Sequence, residues 1–105
     1  MRTVTLFDRE TLRVWATTTA DGELRVAGQD LGGYPGASEY EYAITVSAAD
    51  VPTIRAALDA ADGDDLLSLL EAAGEAIVRR GERAWIEGLG ITAKFWSRVE
   101  PGDAP

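Results

Sequence analysis

Apolar residues fall at every second position through much of the first half of the chain. Val4 and Leu6 alternate with polar neighbours, and Leu12, Val14 and Ala16 alternate with Arg13, Trp15 and Thr17. A period of two belongs to a half-buried strand. The spacing therefore predicts one strand over 3–7 and a second over 12–17, separated by Asp8-Arg9-Glu10. Asp21-Gly22 marks a hairpin, because a tight turn needs the positive φ that glycine accepts without strain. Leu24 and Val26 then open a third strand. Four glycines and a proline between Gly28 and Ser38 predict a loop. From Glu39 to Ser47 alternation resumes, with Tyr40, Tyr42, Ile44 and Val46 on one face and Glu39, Glu41, Ala43 and Thr45 on the other.

The period changes in the second half. Val51, Ile54, Leu58 and Ala61 follow helical spacing, with Ser47 or Asp50 as the cap and Pro52 tolerated in the first turn. Gly63 closes that helix, and Asp64 or Asp65 caps the next. Leu66, Leu67, Leu69, Leu70, Ala73, Ile77 and Val78 form an apolar stripe wide enough to be buried. Gly81 predicts a bend, followed by a short helix through Trp85 and Ile86 that stops at Gly88 or Gly90. A last strand is expected from Ile91 to Arg98.

Strands, then helices, then one strand give an α+β fold. The expectation is an antiparallel four- to five-stranded sheet, an N-terminal meander plus a C-terminal strand, packed against two to three helices. Residues 1–99 read as a single domain and 100–105 as a flexible tail. Pattern leaves open whether the last strand joins the sheet at an edge or in the middle.

Composition removes much chemistry. The 105 residues include no cysteine and no histidine. Thiolate nucleophiles and disulfides are thereby excluded, and so are the usual general base and the commonest transition-metal ligand. Lys94, the single lysine, shares no spacing motif with any of the four serines, so no catalytic residue is nominated. Asp59, Asp62, Asp64 and Asp65 match no calcium-loop spacing and read as helix-end caps; no metal and no cofactor are expected. The stretch Gly32-Gly33-Tyr34-Pro35-Gly36 lacks the ending of a phosphate-binding loop. Eighteen acids against ten bases give a net charge of −8, which disfavours nucleic acid and anionic membranes and steers toward a basic partner. The start of the chain carries no apolar signal core, and no apolar run approaches the ~20 residues of a membrane span; a cytoplasmic location is the expectation.

If Val4, Leu6, Leu12, Val14 and Leu24 face the helices, Phe7, Trp15 and Trp96 fall on the other face. Aromatics left in water there mark an interface, unless the long loop or a helix covers them. Asp30, Tyr34, Glu39, Tyr40, Glu41 and Tyr42 form an acidic and aromatic group suited to Arg- or Lys-rich surfaces. Tyr40 and Tyr42 read equally as core residues of an alternating strand. The partner-binding candidates are Trp15, Asp30, Tyr34, Glu39 and Glu41, with the acidic stretch 59–75 as a second face.

The segments GQDLG, EYEYAITV, GEAIVRRGERAWIEGLGI and KFWSR, covering about Gly28 to Arg98, resemble small acidic proteins of high-GC actinobacteria. Some of these are similar in size and acidity to immunity proteins that neutralise toxins in bacterial competition. The resemblance implies a non-enzymatic interaction module, an inhibitor of a basic toxin such as a nuclease. Two other readings stay open. One is a small-molecule module with a pocket lined by Tyr40, Tyr42, Trp85 and Phe95. The other is self-association through the aromatic face or an edge strand, so monomer and homodimer are both open.

Overall fold

The structure, a computed structural model, describes residues 2–32 and 37–101. Five strands form one sheet: β1 (Arg2–Arg9), β2 (Leu12–Thr18), β3 (Leu24–Asp30), β4 (Ala37–Val46) and β5 (Lys94–Pro101). Their spatial order is their chain order, and every neighbouring pair is antiparallel. Three helices lie between β4 and β5 in sequence: α1 (Val51–Ala57), α2 (Leu66–Arg80) and α3 (Glu82–Gly88). The fold is thus α+β, and the last strand lands at the sheet edge beside β4.

Alternation sorts the sheet into two faces. Val4, Leu6, Val14, Ala16, Leu24, Val26, Ile44 and Val46 are buried against Ile54, Leu66, Leu67, Leu70, Ile77, Ile86 and Ile91. Burying each such Val, Leu or Ile side chain contributes about 1.5–3 kcal/mol, so this layer supplies most of the driving force for folding. α2 presses closest on β1. A Cβ built on Gly74 would come within 2.4 Å of the Leu6 carbonyl oxygen, so the helix approaches the strand as only glycine permits.

The helix ends follow their caps. The Asp65 side chain accepts the Ser68 amide at 3.1 Å and starts α2. Asp64 accepts the Ala61 amide at 2.8 Å in the turn between α1 and α2. Asp65 thus caps a helix as expected, whereas Asp64 caps neither and Gly63 lies beyond the end of α1 rather than closing it. Gly81, at φ 97°, ends α2 and opens α3. Ser47 makes no side-chain cap bond; its hydroxyl instead donates to Asp50 at 3.1 Å across a short 3-10 turn, Ala48–Asp50. α1 stops at Ala57, short of Ala61, because Asp59 adopts a positive φ of 54°.

Three strand expectations are corrected. β3 runs on through Gly28, Gln29 and Asp30, residues assigned to the loop from their glycine content. β5 begins at Lys94 rather than Ile91 and reaches Pro101. A bulge between Thr5 and Phe7 shifts the β1–β2 register and brings Phe7 opposite Val14, on the helix side. An extra residue in one strand reverses the facing of everything after it, which is why plain alternation misplaces Phe7. Tyr34 and residues 102–105 lie outside the described residues. No described helix is long and apolar enough to cross a membrane.

Candidate functional site

The face opposite the helices carries a row in strict register: Trp15 on β2, Ala27 on β3, Ala43 on β4 and Trp96 on β5. The two indoles sit three strand spacings apart, roughly 14 Å, with two methyl groups between them. Together they wall a trough of 480 Å³ on the open sheet face. Trp96 is 50% exposed, whereas Ala43 beneath it is 4% exposed. Small residues flanked by large flat ones make a slot rather than a plain surface.

The rows on either side supply polarity. Toward one end run Thr3, Thr17 and Arg25, and the Thr3 and Thr17 hydroxyls share a hydrogen bond of 2.8 Å. Toward the other run Arg13, Gln29, Glu41 and Arg98, with Glu39 next along β4. The Gln29 amide donates to Glu39 and, at 3.4 Å, to Glu41. Arg98 lies 3.8 Å from Glu39 and 4.0 Å from Glu41, long for charge-assisted bonds. The two carboxyls behave as a pair. Hydrogen bonding with Glu41, then with Gln29, holds Glu39 below the usual range, while Glu39 and desolvation push Glu41 above it. The charge on one acid disfavours the charge on the other.

A second feature lies across the sheet. Tyr42 spreads over Gly28, where an added Cβ would fall 2.2 Å from the ring. Its hydroxyl donates to Glu82 at 2.9 Å. Glu82 is 8% exposed, and burial raises its pKa, partly offset by the Tyr42 bond. Burial, with Glu82 adding, also pushes the Tyr42 hydroxyl up and keeps it a donor. Leu12, Asp30, Tyr40, Tyr42, Glu82 and Phe95 line a cleft of 430 Å³ here. Arg83 stacks over Phe95 at 4.3 Å from the ring centroid. Trp85 lines a different hollow between the helices, with Leu58 and Leu89.

The candidate residues therefore divide. Trp15, Glu39 and Glu41 share the open face, whereas Asp30 points to the helix side, where Thr11 donates to it at 2.7 Å. Three of the four proposed pocket residues, Tyr40, Tyr42 and Phe95, meet in the cleft. Gln29, Arg25 and the Ala27–Ala43 floor escaped notice because a floor of small residues gives no signal until the strands are aligned. Glu82 escaped because its spacing resembles that of any acid at a helix start. No family model, no curated protein and no solved structure matches the chain.

Proposed function

We propose that the chain is a non-enzymatic protein-interaction module whose open sheet face receives an arginine- or lysine-bearing segment of a basic partner. The observation that carries this reading is the Trp15–Trp96 slot ending at the Glu39–Glu41 pair. A cation gains from the faces of indoles and from carboxylates at once. Aromatic anchors flanked by polar groups are also the usual energetic centre of an interface. The net charge of −8 adds long-range attraction. In its narrower form the proposal is an immunity-type inhibitor that plugs the basic channel of a toxin such as a nuclease.

The test is titration of the purified chain with arginine-rich peptides, followed by tryptophan fluorescence. Trp96→Ala and Glu41→Gln should each weaken binding roughly tenfold, and Arg25→Glu should strengthen it. Equal binding by all four proteins would remove the slot from the account.

A second reading, a small-molecule module, draws support from the 430 Å³ cleft where Tyr40, Tyr42 and Phe95 converge. A ligand of that cleft should raise the melting temperature in a thermal-shift screen and lose its effect in Tyr40→Ala. A screen without stabilising compounds counts against it.

A further inference from the structure

The two ends of the open face differ in charge. On one side of the Trp15–Trp96 row, Thr3, Thr17, Arg25, Thr45 and Lys94 stand side by side, one from each strand. Arg25 and Lys94 are exposed, and among the described residues neither has an ion pair. Arginines elsewhere on the surface, such as Arg2, Arg9 and Arg13, each lie within reach of a carboxylate. In a chain of net charge −8, two cations left unpaired in one row make a place for an anion. On the other side of the indoles lie Glu39 and Glu41. Arg98 stands beside them at 3.8 and 4.0 Å, one cation against two acids, and Arg13 is engaged by Asp8 at 3.4 Å.

We propose that the segment received by this face is amphoteric. It is an extended stretch with an acidic side chain against Arg25 and Lys94 and, four residues along, a basic one against Glu39 and Glu41. The proposal rests on the reading of the open face given above and adds the charge pattern of the partner. The spacing follows from the strand itself. Arg25, Ala27 and Gln29 alternate onto one face of β3, and four residues of strand span about 13 Å. Glu41 stands opposite Gln29 and Thr45 opposite Arg25, so the same distance separates the two charged ends. A segment lying extended along β3 and β4 repeats that spacing. Its middle residue then points at the Ala27–Ala43 floor between the indoles, where an apolar side chain fits and the small methyl groups let a backbone approach closely.

A purely basic segment sets one of its cations against Arg25, and a purely acidic one sets an anion against Glu39. Each is penalised at one end, so the face selects by rejection as much as by attraction. The net charge draws a basic partner near from a distance, and the two ends then decide which of its segments stays and which way along β3 it lies.

The experiment is titration of the full chain with four short synthetic peptides, read by tryptophan fluorescence. The first carries glutamate and arginine four residues apart with leucine midway. The second and third have arginine at both positions and glutamate at both. The fourth sets glutamate and arginine three apart, which sends them to opposite faces of an extended segment. The wild-type chain should bind the first roughly fivefold more tightly than any other. Arg25→Glu, with a thermal melt to establish that it folds, should invert the order of the first two and favour the double-arginine peptide. A wild-type chain that binds the double-arginine peptide or the three-residue spacing as tightly as the first overturns the proposal and leaves the reading of the face standing. So does a preference that Arg25→Glu leaves unchanged. If none of the four peptides binds, the reading of the open face fails and the proposal with it.

Discussion

Glu82 sits where burial works against its charge. Its folded pKa is raised, so the folded state holds the proton to higher pH than the unfolded chain does. Stability from this group is therefore greatest at acidic pH and falls as pH rises through the raised value. Glu82→Gln keeps an oxygen for the Tyr42 hydroxyl and removes the ionisation. It should raise the melting temperature near neutral pH and flatten the pH dependence across the mildly acidic range. A lower melting temperature at neutral pH would mean that the charged bond to Tyr42 outweighs the cost of burial. Asp65, Glu39 and Glu75 have the opposite sign: each is lowered by its partners and loses its contribution as pH falls. At this scale the sequence was only partly legible. Tyr42 could be placed on an apolar face by alternation alone. That Gly28 exists to seat its ring required the partner strand, and glycine content instead suggested a loop.

Elements with a single clear period were legible, and those with a local exception were not. β4 and α2 followed their patterns, and Asp65 capped where a capping residue was expected. β1 hid its bulge because one extra residue leaves no compositional trace. The closeness of α2 to β1 was likewise hidden, since a helical glycine signals only weakness until the packing is known. Gly74→Ala forces a methyl group against the Leu6 backbone and should cost about 1–3 kcal/mol, measured by urea unfolding, despite the better helix propensity of alanine. A neutral or stabilising result would show that α2 can lift from the strand. On the open face, the opposed shifts of Glu39 and Glu41 give the slot its own pH signature. Peptide affinity should fall as pH drops through the raised range of Glu41, because its second negative charge is then lost. Glu41→Gln should abolish that dependence. A wild-type profile that Glu41→Gln leaves unchanged would place the cation elsewhere.

For the molecule as a whole, the order of strands and helices gave the class of fold, because segregated elements favour an antiparallel sheet with helices on one face. It could not place the last strand, whose pattern fits an edge and an interior position equally well. The net charge of −8 should show itself in kinetics: association with an arginine-rich peptide should slow as salt rises, while dissociation changes less. A rate of association indifferent to salt would remove steering from the account.

The late return of β5 also has a consequence for synthesis. The first four strands are nearest neighbours in both sequence and space, so they can assemble as they leave the ribosome. The outer edge of β4 then waits while the three helices are made, since its partner begins only at Lys94. Contacts that close so long a loop form late, and an unpaired edge is open to the wrong strand meanwhile. The nascent chain is thus most vulnerable to misassociation in the interval between completing the meander and releasing its final strand.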